Sequence, residues 1–170
     1  MIGHRYVAYN HAMITTTKPA GVTTGTNIKT MLQIAAPSTR KLWVLEWGFA
    51  LETFPTGLSS VELIDTDVAA TTGTAHVAAG VQPIDSDLPP SLVTLGTGAT
   101  GYTFTAEGAT TASRSHDEVL LRANTTEPQI PYFKKFLPHE MPVIDTSRFL
   151  RVRVHFGSAC NLICWVKWGE

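Results

Sequence analysis

The stretch 40–54 restricts the fold of this chain more than any other. Trp43, Leu45, Trp47, Phe49 and Leu51 share one strand parity, and Leu42, Val44, Glu46 and Ala50 share the other. Side chains alternate between faces with a period of two only in extended backbone. Apolar residues of both parities between Leu42 and Leu45 predict a central strand covered on both sides. Pro55-Thr56-Gly57 supplies a turn, and 58–67 returns with Val61 and Leu63 inward. The pattern predicts a hairpin over 40–67.

The rest of the chain agrees with a β fold. Thr, Val and Ile number 24, 13 and 9 of 170 residues, and β-branched side chains suit a pleated, half-buried surface. At this length one domain can bury roughly 70% of its unfolded surface. Leu150, Val152, Val154 and Phe156 alternate with Arg151, Arg153 and His155, and Leu162, Cys164, Val166 and Trp168 follow after a turn at 157–161. This predicts a terminal hairpin with an apolar inner face and a partly basic outer one. Shorter strands are expected over 28–34, 91–95, 102–105 and 117–122. Residues 69–80 read as helix or loop, and the prolines of 127–143 make that segment a looped excursion. The expected architecture is all-β: an antiparallel, jelly-roll-like sandwich of about eight strands over 27–170. Residues 1–26 lack sustained alternation and carry Pro19, Gly21 and Gly25, so they are expected to form an extended N-terminal arm. An edge strand followed by a loop is the alternative.

Several functions are disfavoured. A net charge of −1 and no basic stripe argue against nucleic-acid binding. No apolar run reaches membrane-spanning length, and no apolar h-region follows the N-terminus, so neither a membrane nor a secretory route is expected. Cys160 and Cys164 would lie about 13 Å apart on one strand, too far for a disulfide; only with Cys160 in a turn could they bridge, and nothing indicates that they do. Two reduced thiols fit a protein made in a cytosol. Asn124-Thr125-Thr126 is a glycosylation acceptor only on a secretory route. Gly96-Thr97-Gly98-Ala99-Thr100-Gly101 spells a dinucleotide fingerprint, yet Tyr102-Thr103-Phe104-Thr105 continues with strand alternation where a helix is required, so a glycine turn is expected. The six histidines are scattered, and no nucleophile elbow occurs. No catalytic, cofactor or metal residue is therefore expected. Glu107, Asp117 and Glu118 read as solvated turn carboxylates. Trp43, Trp47 and Trp168 fall on core parities. Trp165 falls on the outer face, which favours a subunit interface over a sugar-stacking site.

Four stretches carry a family likeness. They are Leu32-Gln33-Ile34-Ala35-Ala36-Pro37-Ser38-Thr39; Glu46-Trp47-Gly48-Phe49; the run from Val61-Glu62-Leu63-Ile64 through Asp65-Thr66-Asp67-Val68-Ala69-Ala70; and Ala99-Thr100-Gly101-Tyr102 with Ala106-Glu107-Gly108, followed by Ser147-Arg148-Phe149-Leu150-Arg151-Val152-Arg153-Val154. In this order the chain, over about 27–170, resembles small virion structural proteins of actinobacterial tailed phages, of the head decoration, capsid-stabilising type. The resemblance implies a non-enzymatic protein on the outer capsid surface, with the major capsid protein as partner. A homotrimer is expected, because closed cyclic symmetry buries exposed aromatics against copies of the same chain. Its expected interface is Trp165, Arg151, Arg153 and His155. The expected capsid-gripping residues of the arm are Tyr6, Tyr9, Ile14 and Val22. The rival expectations are a receptor- or glycan-binding module of a virion fibre and a cupin-like enzyme.

Overall fold

The computed structural model describes residues 3–13, 16–123 and 131–170. Ile14 and the Asn124-Thr125-Thr126 acceptor lie outside them. Among the described residues thirteen strands run in chain order: β1 (Arg5–Tyr9), β2 (Val22–Thr23), β3 (Ile28–Ala35), β4 (Leu42–Leu51), β5 (Ser59–Thr66), β6 (Thr74–Ala75), β7 (Val81–Pro83), β8 (Gly101–Tyr102), β9 (Ser113–Leu121), β10 (Tyr132–Lys135), β11 (Val143–Ile144), β12 (Phe149–His155) and β13 (Asn161–Gly169). They form two antiparallel sheets packed face to face as a β-sandwich. One sheet has the order β10-β4-β13-β1-β7, with β11 beside β4 and β2 beside β13; the other has the order β6-β8-β3-β12-β5-β9. The expected all-β sandwich is the fold observed. No helix among the described residues is long and apolar enough to cross a membrane.

The expected hairpins are arches. β4 and β13 belong to the seven-stranded sheet, whereas β5 and β12 belong to the six-stranded one. Each connection therefore carries the chain across the core. The two arches lie side by side, with Val166 opposite Trp47 in one sheet and Val154 opposite Val61 in the other. Period-two patterning tells which side chains face inward. It does not tell which sheet receives the next strand, because both sheets present their apolar face to the same core.

A bulge explains the double parity of 42–45. Lys167 pairs with Glu46 while Trp168 pairs with Val44, so Leu45 is an extra residue on β4. Before it the even positions point inward (Leu42, Val44); after it the odd ones do (Trp47, Phe49). Trp43, expected in the core, is consequently half-buried on the outer side. The inward set of the six-stranded sheet is Leu32, Ile34, Val61, Leu63, Leu150, Val152 and Val154. Phe156, Leu162, Cys164, Val166 and Trp168 close the core from the second arch. Both thiols are free and buried.

The N-terminal residues depart from the expected arm. β1 pairs with β13 on one side and β7 on the other. Tyr6 is fully buried, with its ring 6.1 Å from that of Trp168. Asn10 extends the ladder with its side chain: its Nδ2 donates to the Leu162 carbonyl at 3.0 Å, and its Oδ1 accepts from the Cys164 amide at 2.9 Å. Val22 pairs with Leu162 and packs on the core. β1 and β2 of this segment are thus strands of the sandwich rather than a free arm. Alternation is hidden in β1 because Val7, on the outer parity, is shielded as well.

The middle of the chain is divided between the sheets: β6 and β8 extend the six-stranded one beside β3, and β7 extends the seven-stranded one beside β1. Residues 69–80 hold only β6 and a single 3-10 turn, and 91–95 is not a strand. Gly96 and Gly98 take φ of 114° and 72°, as the expected glycine turn requires. The excursion 127–143 contributes β10 and β11, which its prolines concealed.

Trp47 lies at the centre of this packing and is fully buried. Truncating a buried Trp removes about 3–5 kcal/mol. Trp47→Ala is expected to lower the unfolding free energy by that amount in chemical denaturation. A change within about 0.5 kcal/mol, the range of surface substitutions, would contradict the placement.

Candidate functional site

Two outer faces remain after the core is filled, and the chain treats them differently. On the six-stranded sheet, Gln33 and Arg151 are register partners on the outer side. Gln33 Nε2 donates to the Ala99 carbonyl at 2.7 Å, and its Oε1 accepts from the Ala70 amide at 2.8 Å. Arg151 Nη1 donates to the Glu107 carbonyl at 3.0 Å and pairs with its carboxylate at 3.3 Å, while Nη2 donates to the Val68 carbonyl. Glu107 also accepts from the Thr30 amide and hydroxyl, at 2.6 and 2.8 Å. These polar groups clamp the loops around 68–70 and 98–107 onto half of the sheet. Arg151 is fully buried and is not an interface residue. Glu107 is a structural acceptor rather than a solvated turn carboxylate.

The other half of that face is open. There Ile28, His155, Ser60 and Leu120 form one cross-strand row. Leu120 is 68% exposed and Ile28 48%. Arg153 holds Glu62 at 2.6 Å in the next row. Glu118 is exposed opposite Glu62, as expected of a solvated carboxylate. Trp165, expected in the same interface as Arg153 and His155, lies on the opposite face of the sandwich. One contiguous patch cannot contain all of them.

The outer face of the seven-stranded sheet carries two ordered rows. Phe133 is opposite Gly48, Gly48 opposite Trp165, and Trp165 opposite Tyr9. Directly opposed residues share a face, so Phe133, Trp165 and Tyr9 form an aromatic row in which Gly48 is the gap. The gap is occupied: a Cβ at Gly48 would stand 2.5 Å from Trp165 Cζ2 and 2.5 Å from the Tyr132 carbonyl oxygen. Trp165 therefore lies down on the sheet because residue 48 has no side chain. Tyr9 continues the row, its ring 6.4 Å from Trp165 and stacked at 5.4 Å on His11. Phe133 is 60% exposed.

The second row runs Lys135, Glu46, Lys167, Val7, Gln82. Glu46 is nearly buried and accepts from Lys167 at 2.7 Å and from Trp165 Nε1 at 3.1 Å, with Lys135 at 3.8 Å. Burial alone would raise its carboxyl; the bonds from Lys167 and Trp165 and the two lysine charges outweigh it and hold the carboxyl below its ordinary value. One carboxylate thus fixes the Trp165 ring and links the two rows.

β10, which completes both rows, is held from the inside by Asp117 on β9. This carboxylate accepts from Trp47 Nε1 at 3.0 Å, Tyr132 hydroxyl at 2.7 Å and Lys134 at 3.1 Å. Burial pushes the Asp117 carboxyl up, but bonds from Tyr132, Lys134 and Trp47 and the Lys134 charge bring it below its ordinary value. Burial and the bond to Asp117 push the Tyr132 hydroxyl up to about 12. Asp117 is thus a tie between the edge strands of the two sheets, not the solvated turn residue that its sequence neighbours suggested.

Comparison with protein-family models, with curated proteins and with solved structures gives no match for this chain. The fold and its faces define a β-sandwich with a preorganised aromatic face. Among the described residues no three His, Cys, Asp or Glu side chains converge to hold a metal ion.

Two outcomes are expected from this geometry. Gly48→Ala should lift Trp165 off the sheet, seen as a changed near-ultraviolet circular dichroism band and a lower melting temperature; an unaltered band would contradict the slot. Asp65, held by His116 and by Arg148 Nε at 2.6 Å, also lies below its ordinary value: burial raises it, and the bonds and charges of those two partners outweigh burial. For Glu46, Asp65 and Asp117 the folded value is below the unfolded one, so the unfolded chain binds more protons as pH falls. Their stability is present above the ordinary carboxylate range of about 4 and is lost as pH falls through the folded values. Urea midpoints should drop steeply below about pH 4; a flat profile would contradict the three sites.

Proposed function

We propose that this chain is a non-enzymatic virion structural protein of the decoration type, binding the outer surface of a phage capsid and stabilising it. The observation that carries this reading is the aromatic row Phe133, Trp165 and Tyr9 on a rigid sheet face. Phe133 stands exposed beside the half-buried Trp165 and Tyr9, and aromatics held before contact make strong anchors because little side-chain entropy is left to lose. The family likeness of 32–39, 46–49, 61–70 and 147–154 supports the same reading and supplies the partner, the major capsid protein. Self-association as a closed trimer belongs to it, with the open half of the six-stranded sheet, where Arg153 and His155 lie, as the surface left for copies of the chain. Tyr9 enters as an anchor from the sheet and not from a free arm.

A glycan-binding module of a virion fibre is the second reading. The stacked Tyr9 and His11 rings beside Trp165 favour it, and binding on a glycan array separates the two.

Co-sedimentation with undecorated heads tests the first reading. The full chain should saturate the heads, and Phe133→Ala should weaken binding by more than about tenfold, the loss of a hot spot of roughly 2 kcal/mol, with an unchanged melting temperature. A full chain that does not sediment with heads would contradict the reading.

A further inference from the structure

We propose that the groove beside the aromatic row binds an extended peptide segment in which acidic and apolar side chains alternate. The groove encloses about 590 Å³ on the outer face of the seven-stranded sheet. Val7, Leu45, Ile84 and Phe136 are apolar residues of its lining. Phe136 is fixed there: its amide donates to the Leu45 carbonyl at 3.0 Å, and Lys134 sits 5.3 Å from its ring. Leu45 reaches the groove because of the β4 bulge.

Charge selects the occupant. The lining holds three cations, Arg5, Lys135 and Lys167, against one carboxylate, Glu46. Glu46 is shared between Lys167 and Lys135, and Lys135 remains 73% exposed along its side chain. Asp85 holds Arg5 from beside the groove at 3.0 Å. With Asp85 counted beside Glu46, the groove keeps one net positive charge among apolar residues, in a chain whose net charge is −1, which fits a ligand carrying carboxylates and aliphatic groups together. The row from Lys135 to Gln82 crosses five strands, about 19 Å at 4.8 Å per strand spacing. About six extended residues cover that length, and period two turns their apolar side chains to the apolar lining and their acidic ones to the lysines. Three cations, all of them already paired, are too few for a nucleic-acid backbone.

The source of the segment, the capsid protein, rests on the decoration reading; the chemistry of the groove does not. The test is a nitrogen-15 NMR titration of the full chain with three probes: a blocked peptide alternating leucine and glutamate, its leucine–lysine counterpart, and hexanoate. The glutamate peptide should give saturable shifts at the amides of Val7, Leu45, Gln82 and Lys167, and the lysine peptide none. Lys135→Glu, which turns an attractive rim charge into a repulsive one, should weaken the glutamate peptide by about tenfold, with melting unchanged. Absence of saturable shifts, equal binding of the lysine peptide, or equally tight binding of hexanoate would overturn the peptide site. Sedimentation with undecorated heads separates the two claims. Heads that bind the full chain and Lys135→Glu equally would remove the groove from the capsid contact and leave decoration standing. Peptide binding by a chain that ignores heads would remove decoration and leave the groove standing.

Discussion

The Asp117 carboxylate joins the two halves of this molecule at their open side. A sandwich has edges, and here β9 ends one sheet while β10 ends the other. Asp117 draws donors from Trp47 in the core and from Tyr132 and Lys134 on the edge strand. Hydrogen bonds to a charged group are worth about 1.5–3 kcal/mol each, more than an isolated surface ion pair. The four-residue β10 pairs on one side only, and Asp117 adds to that ladder and to the Tyr132 ring packed on Trp47 and Phe49. Because Tyr132 and Lys134 point inward to Asp117, alternation sends Phe133 and Lys135 outward. The aromatic row and the lysine row are both completed by that choice.

The two faces are differentiated by equally local devices. On the seven-stranded sheet, the Leu45 bulge and Gly48 sculpt the surface: one lines a groove and the other supplies a slot for Trp165. On the six-stranded sheet, Gln33 and Arg151 bind backbone carbonyls and an amide, covering half the face with loops. Polar side chains thus decide where this protein is closed and where it is available, while the apolar residues decide only that it folds as two layers.

Much of this was legible in the sequence, and the limits have physical causes. Parity placed Trp47 and Trp168 inside and Trp165 outside, because a strand has no other way to sort its side chains. It misplaced Trp43, because a bulge costs one residue and leaves no mark in composition. It read arches as hairpins, because inward-facing patterns are the same on both sheets. It read Arg151 as surface, since charge suggests exposure until a loop supplies carbonyls. Asp117 and Glu107 were hidden for the same reason: a carboxylate announces its charge but not the donors that distant strands bring to it. β1 was hidden by brevity, five residues with apolar side chains on both parities.

Asp117 holds β10, and through it the outer face. Native-state hydrogen exchange of Asp117→Ala tests it most directly. The β10 and Phe136 amides are expected to exchange through a local opening, far faster than in the parent chain, while the amides of β12 and β13 keep exchanging only by global unfolding. Protection of β10 that falls no further than that of β13 would contradict it.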